Sequence, residues 1–145
     1  KEILMALQED GRMQLKEISK KVKLGIDSVH NRIKEMMKKG IFETGIIIEP
    51  RVIGYPLLVD VKIKLKNISN EQKDKFIQHL VNHKRCIDLL EIMGDYDFTC
   101  VLIAKDSEDL SKISTEIRTK FKELILEWKG MLILKTHKFE RYDLI

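Results

Sequence analysis

The stretch Leu89–Ala104, LLEIMGDYDFTCVLIA, places two apolar runs around Gly94-Asp95-Tyr96-Asp97. Short apolar runs on either side of a glycine and two carboxylates read as two strands joined by a turn. The strands predicted are Ile87–Met93 and Asp97–Ala104. A tight turn at Gly94–Asp97 sets Cys100 opposite Glu91 rather than Cys86, so no disulfide is expected. The paired carboxylates have four candidate roles: a metal clamp, an acid/base pair, a ligand cradle, or a polar turn.

Outward from this pair the pattern repeats. Upstream, LLVDVKIKLK alternates Val59, Val61, Ile63 and Leu65 with Asp60, Lys62, Lys64 and Lys66, a strand with one apolar face. Ser69-Asn70-Glu71-Gln72 is a capping box that opens a helix to about Asn82, with Phe76, Ile77, Leu80 and Val81 on one side. Downstream, Asp106 or Ser107 caps a second helix whose apolar stripe is Leu110, Ile113, Ile117, Phe121 and Leu124. Met131–Lys138 reads as the last strand. Strand-helix-strand-strand-helix-strand is the ferredoxin-like split βαβ, and right-handed crossovers put both helices on one face of the sheet. The inner strands are apolar on both sides, with Leu90, Ile92, Val101, Ile103, Leu132 and Leu134 on one side. A face of that size predicts a homodimer or larger assembly joined sheet to sheet, the alternative being cover by the N-terminal residues.

Lys1–Gly40 follows a different rule. Ile3, Leu4 and Leu7, then Leu15, Ile18 and Val22, then Ile26, Val29, Ile33, Met36 and Met37 recur at helical spacing. Breaks at Asp10-Gly11, Lys23-Leu24-Gly25 and Gly40 make three short helices, the last two joined by a turn of helix-turn-helix length. IFETGIIIEP then reads as a short β-hairpin or extended wing, and Pro50, Gly54 and Pro56 punctuate a linker. The fold class predicted is α+β, with a winged-helix-like helix-turn-helix domain over residues 1–45, a wing and linker over 46–56, and a ferredoxin-like βαββαβ regulatory and oligomerisation domain over 57–145.

The 145 residues are 43% hydrophobic and 34% charged, a globular balance. No apolar run approaches the roughly 18–20 residues of a membrane span, and no signal peptide is visible. Lys1 falls inside a helical pattern, so chain before it is expected. Two cysteines, Cys86 and Cys100, read as small core residues in a reducing cytoplasm. The net charge of +4 is uneven: eleven Lys/Arg stand against eight Asp/Glu through Pro56, and sixteen against fifteen thereafter. A modest basic excess in the helical third points to a polyanion there.

On Ile26–Lys39 the short polar side chains Ser28, His30 and Asn31 suit base edges, whereas Arg32, Lys34, Lys38 and Lys39 suit phosphates. Asp27 at the helix start disfavours tight non-specific binding. A homodimer would present two such helices to successive major grooves of double-stranded promoter DNA. The alternative is a set of solvated helix faces.

Several motifs together resemble the Lrp/AsnC, or feast/famine, regulators of bacteria and archaea. They are LQEDGRMQLKEISKKVKL, then VHNRIKEMMKKGIFETGIIIEPRVIGY with its V-x-x-R-I pattern and Pro50…Ile53-Gly54-Tyr55, then GDYDF and LILKTHK. The likeness runs over essentially the whole chain. It implies a sequence-specific transcriptional regulator, dimeric through its regulatory domains and often octameric. It also implies an amino acid or related metabolite as effector near the G-x-x-D turn, here Gly94, Asp95, Tyr96 and Asp97, with Trp128 and Lys129 of EWKG as further lining. Arg32 matches the family's recognition-helix arginine. The chain departs from the family in having Lys23-Leu24-Gly25 where Gly-Leu-Ser is usual, and Gln14 at a Ser/Thr cap, which predicts a slightly less stable headpiece. EWKG replaces a Thr- or Ser-bearing segment of several amino-acid-binding members.

Other chemistry finds little support. His79 and His83 sit i, i+4 on a helix, but no third ligand is near in sequence, so no metal is expected. No P-loop, Rossmann or G-x-S-x-G motif is present, and no cofactor or catalytic residue is expected. Two other readings are weighed: a siroheme-decarboxylase-like enzyme on the same fold, for which six arginines are a thin supply, and an oligomerisation module with a degenerate headpiece.

Overall fold

The computed structural model describes residues 1–145, in two compact units: Lys1–Ile47 with His137–Ile145, and Ile48–Thr136. The first unit contains α1 (Glu2–Glu9), α2 (Leu15–Val22) and α3 (Ile26–Lys38). Their apolar stripes meet in a small core of Ile3, Ala6, Ile18, Val22 and Val29, with Leu7, Met13, Leu15, Leu24, Ile33 and Met36 packed around it. Met37 is 43% exposed, against the expectation that it is buried, because it lies at the margin of the stripe centred on Val29.

The turn between α2 and α3 carries a conformational cost. Lys23 adopts φ 54°, ψ 41°, the left-handed position usually held by glycine after a helix. The turn is held by the Leu24 amide donating to the Ser19 carbonyl at 3.1 Å, and by the Ser19 hydroxyl donating to the Leu24 carbonyl. At the start of α2, Glu17 accepts the Gln14 amide at 3.2 Å, half of a capping box. Residues 42–49 form no helix or strand and have no ladder partner, so the expected alternative of a short β-hairpin does not form. Thr44-Gly45 lacks the Asn or Asp that favours a two-residue hairpin turn.

The last nine residues, grouped by the sequence reading with the regulatory part, belong to the helical unit. The Gln8 side chain accepts the Tyr142 amide and donates to the Tyr142 carbonyl, both at 2.8 Å, pairing with it as a neighbouring strand would.

The second unit is a four-stranded antiparallel sheet of order β2-β3-β1-β4, with α4 (Asn70–Val81) between β1 and β2 and α5 (Ser107–Lys120) between β3 and β4. The strands are β1 (Leu57–Leu65), β2 (Cys86–Glu91), β3 (Phe98–Ala104) and β4 (Ile125–Leu132). That order and connectivity are ferredoxin-like. Both helix starts behave as their sequences require. Ser69 accepts from Gln72 N while Gln72 accepts from Ser69 N, and Asp106 accepts from Asp109 N at 2.8 Å. The core lies between helices and sheet, where Val61, Ile63, Phe76, Leu80, Phe98, Leu102 and Ile117 are essentially inaccessible to water. Each such side chain contributes roughly 1.5–3 kcal/mol by burial. Val81, expected on the buried face, is 60% exposed.

Two strand expectations are corrected. Ile92 N donates to Asp97 O at 2.9 Å, so the connection is a four-residue loop, Met93–Tyr96, and the register moves by two: Cys100 faces Leu89, and Cys86 faces Leu102 beside an irregularity in β2. Both cysteines are free thiols. The last strand is Ile125–Leu132, not Met131–Lys138. Its position comes from pairing with β1, where Trp128 faces Ile63, Lys129 faces Lys62 and Gly130 faces Val61. EWKG therefore crosses the middle of a strand. A side chain at 130 would crowd β1, since a Cβ there would stand 3.2 Å from Val59 Cγ1.

Candidate nucleic-acid interface and effector turn

On α3, burial of Val29 orients the rest. Asp27, Asn31, Lys34 and Lys38 recur at i, i+4, i+7 and i+11 along the opposite side of the helix. All four are exposed, as are His30 and Arg32 on the flanks, while Ser28 is half-buried. The six residues singled out from the sequence thus share one helix, within about three turns. Short polar groups (Ser28, His30, Asn31) lie in the first half and Lys34 and Lys38 in the second. That distribution matches a recognition helix, whose N-terminal residues reach base edges while flanking cations meet phosphates. Gly25 begins the helix with no side-chain cap, leaving the first amides without a local side-chain acceptor.

The turn residues part company. Gly94 has φ +148°, and Gly94, Asp95 and Asp97 are exposed while Tyr96 is half-buried. Asp97 does not point freely into solvent. Its Oδ2 accepts the Leu65 amide at 2.7 Å, and its own amide donates to Ile63 O at 3.0 Å, so it closes the end of β1. Trp128 and Lys129 lie two strands away on β4 and project to opposite faces of the sheet. Trp128 packs on the helix-side core, and Lys129 stands beside Lys62 on the helix-free face. The structure therefore brings Trp128, but not Lys129, to the layer that carries Phe98 beside the turn.

The helix-free face is less uniformly apolar than its sequence suggests. β1 supplies Asp60 and Lys62 at its centre. Lys62 Nζ meets Asp60 Oδ2 and Thr99 Oγ1, each at 2.9 Å, and Thr99 Oγ1 donates to Asp60. Leu90 (51% exposed) and Met131 (41%) flank this polar centre. No cluster of three or more His, Cys, Asp or Glu side chains is arranged to hold a metal ion. On the helix side the neighbouring Cys86 thiol, and then burial, push the Cys100 thiol up, away from thiolate chemistry.

A helical headpiece presenting a polar, cationic recognition helix, followed by a ferredoxin-like unit, defines a DNA-binding transcriptional regulator. Residues 1–43 match the winged helix-turn-helix DNA-binding family. The chain is 30% identical to the HTH-type transcriptional regulator FL11 of Pyrococcus horikoshii over 145 residues, covering 95% of this chain and 89% of that one. Among solved structures, AsnC of Escherichia coli superposes with a TM-score of 0.82 at 19% identity, over 97% of this chain and 93% of the other. A Neisseria meningitidis transcriptional regulator in complex with L-Met gives 0.84 at 18% identity, over 95% and 89%. The chain belongs to the Lrp/AsnC family of transcriptional regulators.

Proposed function

We propose that this regulator reads its operator as a homodimer. Ser28, His30 and Asn31 meet base edges, and Arg32, Lys34 and Lys38 meet phosphates. The observation that carries this reading is the exposed stripe Asp27, Asn31, Lys34 and Lys38 opposite buried Val29, which leaves α3 a continuous polar face. We assign DNA binding to residues 1–45, the wing and linker to 46–56, and regulation and assembly to 57–145, the last nine residues returning to pack with the headpiece. Dimers form through the helix-free sheet face, where Leu90, Val101 and Met131 surround the Asp60–Lys62–Thr99 centre, and associate further into octamers. The effector is an amino acid or related small metabolite held at Gly94, Asp95, Tyr96 and Asp97, with Trp128 contributing from β4 and Lys129, on the opposite face, standing outside the site. It acts by favouring one assembly over another, which resets headpiece spacing. The protein works in the cytoplasm and carries out no catalysis.

The test is fluorescence anisotropy on a promoter fragment. Asn31→Ala with Arg32→Ala abolishes specific binding while helicity and assembly stay unchanged. Lys34→Ala and Lys38→Ala each reduce the salt slope by about 1. Wild-type affinity in the Asn31/Arg32 double variant sinks the assignment. A thermal-shift screen of the amino acids identifies the effector by mass action.

A further inference from the structure

Residues of α4 and α5, with the turn Asn82–Arg85, line an open cleft of about 640 Å³ on the second unit, away from the Gly94–Asp97 loop. Its polar lining is rich in donors and poor in acceptors. Lys120 Nζ lies 3.0 Å from His79 Nδ1. An ammonium can only donate, so Nδ1 accepts and His79 carries its hydrogen on Nε2. That Nε2 is buried and has no hydrogen-bond partner in the chain. His83 is set the same way, because its Nδ1 accepts the Arg85 amide at 3.2 Å, which leaves Nε2 as the donor.

Arg85 completes the group. Its Nη2 is held 3.3 Å from Asp109 Oδ2 and its guanidinium lies 4.5 Å from the Tyr55 ring centre, so the side chain is fixed from two sides. Its Nη1 is buried with no partner. Lys75 and Lys84 add ammonium groups, Lys75 already paired with Glu71, and Glu116 is the one carboxylate among the lining residues. Buried nitrogens without acceptors are uncommon and costly in folded proteins. Two at one cleft, His79 Nε2 and Arg85 Nη1, beside the His83 donor and three lysines, describe a site whose ligand supplies both oxygen acceptors and negative charge.

We infer that this α4/α5 cleft binds the phosphate group of a small phosphorylated metabolite, with His79, His83, Lys84 and Lys120 as its donors. A phosphate monoester offers several acceptor oxygens and close to two negative charges at neutral pH, and charge-assisted bonds to it are the strong kind. The cleft volume falls in the range that holds such a ligand beyond its phosphate. The inference stands apart from operator reading, since none of these residues belongs to the recognition helix.

The experiment is isothermal titration of the full chain, without DNA, using inorganic phosphate and AMP in parallel. Saturable binding of either probe is expected. Lys120→Met and His79→Gln should each weaken it by about tenfold, and Lys122→Met should leave it unchanged. Tighter AMP than phosphate assigns a nucleotide-sized ligand, and equal affinities assign recognition of the phosphate alone. Absence of saturable binding at millimolar probe overturns the inference. So does binding that survives both cleft substitutions, or binding lost on Lys34→Ala, which would place the anion on the recognition helix. Melting curves of each variant confirm that the fold is intact.

Discussion

The Asp97 carboxylate accepts the Leu65 amide at 2.7 Å, tying the loop before β3 to the end of β1. The residue that matches the family's effector turn therefore also terminates a strand. The β1–β3 ladder ends at the Ile63–Phe98 pair, so the Leu65 amide on that edge takes a side-chain acceptor. Any loss of effector response on changing Asp97 mixes two effects, and stability separates them. Asp97→Ala should lower the unfolding free energy by about 1 kcal/mol, with Asp97→Asn, which keeps an acceptor oxygen, lowering it less. Urea denaturation without ligand reads this directly. An Asp97→Ala chain as stable as wild type would show that the contact carries no weight.

Lys23 occupies a left-handed position at the end of α2, where a side chain costs roughly 1 kcal/mol relative to glycine. Lys23→Gly should therefore stabilise the headpiece by up to about 1 kcal/mol. Adding Gly25→Ser, which supplies the missing α3 cap, should contribute a few tenths more. Differential scanning calorimetry of the two variants tests both. A lower melting temperature in Lys23→Gly would mean that the lysine side chain offsets its own strain.

His79 is held below its ordinary pKa of 6.5, chiefly by burial and then by the nearby Lys120 and His83. The unfolded chain therefore takes up this proton at higher pH than the folded one. Stability from this group is complete above about pH 6.5 and declines as the pH falls from there towards the lowered folded value. Denaturation midpoints at about pH 7.5 and about pH 5.5 should differ more for wild type than for His79→Gln. Equal differences in the two proteins would remove His79 as a source of acid sensitivity.

Lys62 sits between Asp60 and Thr99 at the centre of the helix-free face. Lys62→Asp leaves adjacent carboxylates on that face with no balancing cation. If the face joins two copies, their burial opposite a partner is strongly unfavourable. Light scattering should then show the variant at a lower assembly state than wild type, with Thr99→Val much less affected. An unchanged mass for Lys62→Asp would place the interface elsewhere.

Local chemistry made much of this molecule legible in advance. The capping box at Ser69, the Asp106 cap, the alternation in β1 and the three-residue break between α2 and α3 each specify their element within a few residues, and all four appear in the structure. The misplacements fall where pairing between distant segments decides. EWKG, with two charges and a glycine, has the composition of a turn. It is strand because Lys129 and Gly130 find Lys62 and Val61 across the ladder. The GDYD register slipped by two for a related reason, since Asp97 is drawn to the end of β1 and lengthens the loop.

The helices, their faces and the polar stripe on α3 were determined by the sequence itself, because a periodic apolar pattern needs only its own few turns to choose a buried side. Tertiary structure alone decided which side of the sheet Trp128 and Lys129 face. It alone set the Asp97 carboxylate on the Leu65 amide, and it brought His79, His83, Arg85 and Lys120 around one cleft. Those relationships join residues far apart in the chain, 32 positions for Leu65 and Asp97 and 41 for His79 and Lys120. They form only once burial of the shared core has paired β1 with its neighbours and packed α4 beside α5.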